Sequence, residues 1–239
     1  MVVFLTAAGG QQPRSYTTTF PATENPISEG GNWINGGRDG VDWKDVRTMP
    51  GLAYGADGSG APKYDDPTAL LTGTWGPDQT VEGTVYSVNQ NGLWNQEVEI
   101  RLRSTISRHV NTGYELLFKC THDGSQYAEI VRWNGPLGNF TYLRQGGSPG
   151  IRNGDVVKAT IVGNVITGYI NGVQVMQATD RTYTSGSPGI GFYMNAKGDP
   201  VGVGRNADFG FTRLIASDGG TPPPPAAPTK SARHLQQSS

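Results

Sequence analysis

The chain has 239 residues, of which 35 are Gly and 16 are Pro, a composition typical of one β domain with many turns. Its 19 Lys and Arg residues nearly balance 20 Asp and Glu residues, so the net charge is -1. This balance supplies no attraction to nucleic acid, and no apolar run approaches the ~20 residues of a membrane span. We therefore expect neither a nucleic-acid partner nor a membrane span.

The N-terminal third is predicted to be rich in loops. After a flexible segment over residues 1–14, the stretch SYTTTF at residues 15–20 has the β-prone composition of a first strand. Residues 21–83 are polar and Gly-rich and alternate little, although Trp33 and Trp43 argue against disorder. Loops of this length inside a compact domain are usually functional or disordered.

Short strands become regular in the middle of the chain, where turn clusters such as NQNG, NTG and NGPLGN separate them. This even spacing is typical of a two-sheet sandwich. Cys120 is the only cysteine and ends one of these strands, so we expect a buried, unreactive thiol. The predicted strands are residues 80–88, 96–104, 114–120, 127–133 and 140–143.

The clearest pattern is a three-strand meander over residues 154–180. β-branched residues alternate with others in VVKATIV, VITGYI and VQV, as expected for strands with one buried face. Gly163-Asn164 and Asn171-Gly172 separate the runs, and both pairs tolerate positive φ in tight hairpin turns. Antiparallel pairing of the three runs follows.

The C-terminal end changes in composition after Ser217. Two further strand-like segments, SGSPGIGFYM and ADFGFTRL, follow the meander and precede four consecutive prolines. Such a sequence predicts an extended linker and a loose tail that could join the domain to a neighbour. We therefore assign residues 15–217 to one sandwich domain and residues 218–239 to the Pro-rich tail.

The meander, with its YING turn and the SGSPGIGFYM and ADFGFTRL segments, resembles concanavalin A-like lectin/glucanase domains of the laminin-G-like kind. The resemblance extends more loosely back to about Ser15. It implies an all-β, two-sheet antiparallel jelly roll. It does not specify an activity, because that superfamily includes lectins, carbohydrate-binding modules, hydrolases, lyases and adhesion domains.

The strand QEVEIRLRS is the main candidate for chemistry. Its alternation predicts that Glu97, Glu99, Arg101 and Arg103 share one face, opposite the apolar residues. One interpretation is a solvated convex face with weak ion pairs. The other is a glycan-binding concave face, where charged groups bind sugar hydroxyls and aromatic rings stack on sugars. Neighbouring strands would extend that face with Tyr127, Glu129 and Trp133.

Catalysis on the same face is a third interpretation, because glycoside hydrolysis needs two carboxyl groups and Glu97, Glu99 and Glu129 could supply them. Hydrolases of the resembled family carry an E-x-D-x-x-E strand, whereas this chain has Glu97-Val98-Glu99-Ile100-Arg101. The Arg/His/Tyr strands of the related polysaccharide lyases are also absent from the sequence. An enzyme is therefore kept as the alternative.

Three tryptophans lie beside Gly, Asn or Pro in predicted loops. Trp33, Trp75 and Trp94 could stand out of the surface as platforms for sugar rings, or they could anchor their loops in the core. We retain them as candidate ligand-binding residues together with those of the charged face.

The resemblance also implies a structural Ca²⁺ ion. In similar domains an Asp at the start of the last strand, here Asp208, binds calcium with oxygens of the N-terminal segment, where Glu24 is a candidate. The alternative role for Asp208 is to cap a turn. No dinucleotide or phosphate-binding motif is present, so we expect no organic cofactor.

Together these patterns predict a secreted or cell-surface module that binds polysaccharide on the concave sheet face. The alternatives are a glycoside hydrolase or polysaccharide lyase acting on that face, and an adhesion module with no sugar site.

Overall fold

The computed structural model describes residues 13–56, 66–89, 94–120, 126–196 and 206–219, with the backbone alone at residues 94, 95, 195 and 196. One short 3-10 helix, Asn206–Asp208, accompanies the strands of this part of the chain. The strands are β1 (Ser15–Thr18), β2 (Trp33–Asn35), β3 (Val46–Met49), β4 (Leu52–Gly55), β5 (Thr68–Leu71), β6 (Gln79–Ser87), β7 (Trp94–Ser107), β8 (Val110–Lys119), β9 (Ala128–Gly135), β10 (Phe140–Arg144), β11 (Val156–Val162), β12 (Val165–Ile170), β13 (Val173–Thr179), β14 (Ser187–Ala196) and β15 (Phe209–Asp218).

The strands form two antiparallel sheets that pack face to face. Sheet A has the order β13-β12-β11-β6-β15-β4-β3, and β1 also pairs with β15. Sheet B has the order β10-β9-β8-β7-β14-β5-β2. The predicted all-β, two-sheet antiparallel sandwich is confirmed. Among the described residues, no helix has the length and hydropathy needed to cross a membrane.

The predicted meander is confirmed as β11, β12 and β13 at one edge of sheet A. Gly163, Asn171 and Gly172 have φ values of 55°, 49° and 79°, the left-handed conformation that both predicted turns require. The tight turns pair β12 with both β11 and β13, and β11 pairs with β6, which joins the meander to the rest of the sheet.

The N-terminal third is more regular than predicted. Within residues 21–83 it contains four short strands, β2 to β5, and the beginning of β6. Their three or four residues are too few for a visible alternation, and most of their side chains are buried on both faces, which removes the polar half of the pattern. Residues 1–12 and 220–239, which hold most of the two predicted flexible ends, lie outside the described residues.

The core lies between the inner faces of the two sheets. Val98, Ile100 and Leu102 of sheet B belong to the same buried cluster as Val81 and Val157 of sheet A. Apolar burial of this kind stabilises a sandwich by about 25 cal/mol for each Å² removed from water. Because every second side chain of β7 enters this core, the residues between them are directed to the other face of sheet B.

Cys120 lies in the core with no exposed surface, as predicted. Burial raises the pKa of its thiol to about 12, so the thiolate needed for reaction is scarce at neutral pH.

Candidate functional site

A cavity of about 230 Å³ lies against the outer face of sheet B. Five acidic side chains line it, namely Asp66, Glu97, Glu99, Glu115 and Glu129. Five aromatic side chains complete most of the wall, namely Tyr127, Trp133, Phe140, Tyr142 and Tyr193. We call this space the acidic cavity. It combines hydrogen-bonding groups with aromatic rings in one concave surface, which is the usual composition of a small-molecule site.

Three central strands position the acidic groups. Glu97 and Glu99 alternate along β7 with core residues, and Glu115 on β8 lies opposite Arg101. Gly191 on β14 faces Glu99, and a Cβ atom at this position would collide with the Glu99 carboxylate. A side chain at Gly191 would therefore fill the space that the carboxylate occupies.

Arg101 forms the base of the site and is completely buried. Its Nη2 donates to Glu99 Oε2 at 2.8 Å and to Thr68 Oγ1 at 3.1 Å, while its Nη1 forms an ion pair with Glu115. Trp133 Nε1 donates to the same Glu115 oxygen at 2.6 Å. A buried charge is tolerated when it is paired, and Glu99 and Glu115 pair with this guanidinium, while its Nε has no hydrogen-bond partner among the described residues.

The aromatic wall is itself a packed cluster. Trp133 contacts Trp43 edge to face at a centroid distance of 5.8 Å and Phe140 at 5.3 Å. Phe140 in turn contacts Tyr142, again at 5.3 Å. Trp43 and Trp133 are almost fully buried, whereas Tyr142 is 45% exposed. The wall therefore has a rigid base and one accessible ring at its rim.

The electrostatics of the cavity favour protonated carboxyl groups. Burial raises the pKa of Glu97 to about 8, and the charge of Glu115 adds to the shift, although the hydrogen bond from Tyr127 opposes it. Burial, followed by the charges of Glu115 and Asp66, raises the pKa of Glu99 well above its ordinary value. Burial also raises the pKa of Glu129. A neutral Glu97 can donate one hydrogen bond as well as accept others.

Burial and the neighbouring Glu97 charge raise the pKa of Tyr127 above its ordinary value. Its hydroxyl donates a hydrogen bond to Glu97 Oε1. Tyr127 therefore stays protonated and holds the Glu97 side chain in place.

The structure brings together six of the residues singled out in the sequence. Glu97, Glu99, Glu129, Tyr127 and Trp133 line the acidic cavity, and Arg101 lies beneath it. Glu99 and Arg101 have no exposed surface. These residues therefore do not form the solvated face with weak ion pairs that was one interpretation of the sequence.

Arg103 does not join them, contrary to the predicted alternation. The β7 register shifts between Leu102 and Thr105, and Arg103 has a φ of 45°. Its guanidinium donates to the carbonyl oxygens of Pro77, Tyr183 and Gly163 at 2.6, 3.0 and 2.7 Å. Because a β-bulge redirects the side chains that follow it, Arg103 links the end of sheet B to sheet A.

The loop tryptophans also lie apart from the acidic cavity. Trp33 and Trp75 are each 5% exposed and belong to the core between the sheets. Trp33 Nε1 donates to Glu29 Oε2 at 2.9 Å, and the Arg14 guanidinium covers Trp75 at 4.4 Å. Their packing leaves no ring face open for a sugar. The side chain of Trp94 lies outside the described residues.

The candidate calcium ligands have other partners in this structure. The Glu24 carboxylate accepts hydrogen bonds from the backbone N–H groups of Ser28 and Glu29, both at 2.9 Å. Asp208, the last residue of the 3-10 helix and directly before β15, accepts one from Asn89 Nδ2 at 3.1 Å. Both contacts fit a loop-capping role. A calcium ion at Asp208 stays a prediction from the resemblance.

Sequence reasoning missed several cavity residues. Asp66 precedes β5, in a stretch that was predicted to be irregular, and Phe140 and Tyr142 lie on the edge strand β10. Tyr193 could have been predicted from the sequence, because the run GIGFYM alternates and places it on the face opposite the core residue Phe192. The position of Asp66 depends on pairing between distant strands, which the local sequence does not specify.

Comparison with known proteins gives structural neighbours alone, since no protein-family model and no curated protein sequence matches this chain. The carbohydrate binding module CBM66 from Bacillus subtilis is 14% identical, with a TM-score of 0.51 over 81% of this chain and 96% of that one. The CBM2 module of the evolved Dit of Lactobacillus casei BL23 phage J-1 is 14% identical, with a TM-score of 0.53 over 87% and 97%. The chain has the concanavalin A-like jelly-roll fold.

A third neighbour is the metal-free form of the Emp46p carbohydrate recognition domain. It is 12% identical, with a TM-score of 0.51 over 84% of this chain and 95% of that one. At identities this low, the structural similarity establishes a shared sandwich fold but not a shared activity.

Proposed function

We propose that the protein binds a glycan in the acidic cavity on the outer face of sheet B. The observation that carries the proposal is the pairing of an aromatic wall with a row of carboxyl groups around one 230 Å³ space. Sugars present apolar ring faces and hydroxyl groups together, and they are held by aromatic stacking and by hydrogen bonds to carboxyl groups. Glu97, whose pKa is about 8, would be protonated near neutral pH and would serve as both donor and acceptor.

The structural neighbours support this proposal through their descriptions. Two are named as carbohydrate-binding modules and the third as a carbohydrate recognition domain. A polysaccharide is the natural partner for such a module, and the corresponding setting is secreted or on a cell surface. The Pro-rich segment beyond residue 219 would connect the module to another domain.

Tyr142 gives the sharpest test of glycan binding. Its ring is exposed at the rim of the acidic cavity, so Tyr142→Ala removes a stacking surface with little effect on the core. We expect the dissociation constant for a retained polysaccharide, measured by affinity electrophoresis or calorimetry, to rise by about tenfold, as the loss of ~1.4 kcal/mol of stacking implies. Tyr169→Ala on sheet A is the matched control and should leave the dissociation constant for the polysaccharide unchanged.

Two results would contradict the proposal. One is a wild-type protein that no member of a broad polysaccharide panel retains. The other is an equal loss of binding in Tyr142→Ala and Tyr169→Ala, which would mean that the acidic cavity is not where the glycan binds.

Cleavage of the glycan is the second candidate function. It is favoured by the coexistence of Glu97, whose pKa is about 8, with the half-buried Glu129 in one cavity, because a glycosidase pairs a protonated acid with a second carboxyl. Reducing-sugar release that Glu97→Gln abolishes and Glu82→Gln leaves intact would establish it. Binding without product formation over long incubation would leave the protein a binding module.

A further inference from the structure

The charge of the acidic cavity points to the kind of glycan it accepts. Of the described residues that line it, five are acidic and none is basic. Arg101 and Lys119 lie on the same face of sheet B, but neither is among the lining residues, and both are at most 3% exposed. A ligand in this space therefore contacts acids and aromatic rings.

Arg101 is not available to an anionic ligand. The guanidinium is held by Glu99, Glu115 and Thr68 beneath the acidic cavity. Burial alone would lower the pKa of Arg101, but the charges of Glu115 and Glu99, which both pair with the guanidinium, raise it. A uronate or sulfate group would meet carboxyl groups without a cation to pair with.

Glu99 retains one hydrogen-bonding atom without a partner. Its Oε2 accepts from Arg101, whereas its Oε1 is buried and has no hydrogen-bond partner among the described residues. A buried polar atom left in this state is destabilising, and a ligand that donates a hydrogen bond to it removes that cost. Because Glu99 lines the acidic cavity, a ligand there is placed to supply that donor.

A positively charged donor would recover more than a neutral one. Glu97, Glu99 and Glu129 all have raised pKa values because burial disfavours their charged forms. A cation in the acidic cavity would stabilise those charged forms. The aromatic wall adds to this preference, because a cation is attracted to the face of a Trp or Tyr ring.

An ammonium group fits this site better than a metal ion. Oxygens of Asp66, Glu99 and Glu115 lie within 4.8 Å of one another, a spacing compatible with metal ligation. Arg101, however, already pairs with two of these three carboxylates. A divalent ion would place two further charges against the guanidinium, whereas an ammonium adds one charge and three hydrogen-bond donors.

We propose that the acidic cavity binds an unacetylated amino sugar, whose ammonium group donates to Glu99 Oε1 while its ring packs against the aromatic wall. This inference rests on the proposed glycan-binding function and specifies its ligand class. It requires a polysaccharide that contains 2-amino-2-deoxy residues with free amines.

The test compares polymers that differ only in acetylation. The full chain is titrated with oligomers of glucosamine and of galactosamine, each in free-amine and N-acetylated form, and with oligogalacturonate and polylysine. We expect at least one free-amine oligomer to bind about tenfold more tightly than its acetylated form, as expected for a charge-assisted hydrogen bond, and more tightly than polylysine. Any binding heat from calcium ions alone should be the same in the wild type and in Glu99→Gln.

Variants locate the effect. Glu99→Gln should reduce the preference for the free amine to about twofold or less, because it removes the charge that the ammonium needs. If Glu99→Gln does not fold, Glu129→Gln at a half-buried position tests the same preference for the free amine. It should reduce that preference by a smaller factor. Glu82→Gln on sheet A should leave the preference unchanged.

Four outcomes overturn the inference. Equal or tighter binding of acetylated or uronate oligomers would refute the amino-sugar assignment but leave the glycan-binding function standing. Equal binding of polylysine would mean that charge alone is recognised. Calcium binding that Glu99→Gln abolishes would assign the carboxyl cluster to a metal. A protein that retains none of these oligomers and no other polysaccharide would refute both proposals.

Discussion

The outer faces of the two sheets are built from similar residue types but form different kinds of surface. On sheet A, Lys158 lies opposite Glu82 across two paired strands, and both side chains are half-buried. Lys158 Nζ also lies 4.5 Å from the centroid of the Tyr169 ring. On sheet B, Glu99 and Arg101 form an ion pair with no exposed surface.

The difference lies in what surrounds the charges. On sheet B, the loop that carries Trp43, the edge strand β10 and the segment at Asp66 enclose the outer face, whereas Lys158 and Glu82 on sheet A stay in contact with water. An exposed ion pair contributes about 0–1 kcal/mol to stability, but removing one partner of a buried pair costs about 3–5 kcal/mol. A protein maintains such buried charges at a cost, and functional sites are where they concentrate.

Removing the buried cation should produce the largest effect. Arg101→Met leaves Glu99 and Glu115 facing each other without a counter-ion, so we expect the free energy of unfolding to fall by about 3–5 kcal/mol in denaturant titrations. Arg213→Met, at an exposed position on β15, is the matched control and should change it by about 0.5 kcal/mol or less. A small loss in Arg101→Met would mean that water screens this network as it does on sheet A.

The second-largest expected effect is a pH dependence of stability that arises from sheet B and not from sheet A. The pKa of Glu97 is about 8 in the folded protein and 4.5 ordinarily, so between these values the folded state holds a proton that the unfolded state releases. The free energy of unfolding should therefore fall as pH rises from 4.5 to about 8, with a contribution of up to ~1.4 kcal/mol per pH unit. Below pH 4.5 this contribution is fully present.

Glu97→Gln should remove that part of the slope, because the amide does not titrate. The matched variant Glu82→Gln on sheet A should retain the wild-type slope. A slope that is identical in all three proteins would show that Glu97 is charged in the folded state at neutral pH, and the acidic cavity would then be more hydrated than its burial implies.

Arg103 offers a way to separate stability from binding. Its three hydrogen bonds to backbone carbonyls join the end of sheet B to sheet A, away from the acidic cavity. We expect Arg103→Met to lower the free energy of unfolding by about 1–3 kcal/mol while glycan affinity stays unchanged. Loss of affinity in the folded variant would place Arg103 in the binding surface after all.

The contrast between Arg101 and Arg103 also marks the limit of sequence reasoning. Period-two alternation in QEVEIRLRS correctly placed Glu97, Glu99 and Arg101 on one face, because each apolar neighbour is fixed in the core. Two residues further the same rule failed, because a bulge at Arg103 shifts the register and no residue of the motif signals it. The fold prediction rested on many such alternations, so one failure did not change it. The site prediction rested on single side chains, so the same failure misplaced Arg103.

Enclosure was the second feature that the sequence did not reveal. Trp33 and Trp43 have similar polar, Gly-containing contexts, yet Trp33 packs in the core and Trp43 packs against Trp133 outside it. Asp66 reaches the acidic cavity through the pairing of β5 with β14, more than 100 residues away in the chain. Such placements follow from long-range topology and not from the local pattern.

The smallest effect is expected on sheet A, where Lys158→Met removes the cation that lies opposite Glu82 and beside Tyr169. Water remains in contact with the Glu82 carboxylate after the substitution, so no charge is left buried. We expect a change of about 1 kcal/mol or less in the free energy of unfolding, and that change should shrink further as salt is added. Salt should alter the Arg101→Met loss far less, because ions do not reach a network with no exposed surface. If both losses responded to salt in the same way, the enclosure of sheet B would not be what separates the two faces.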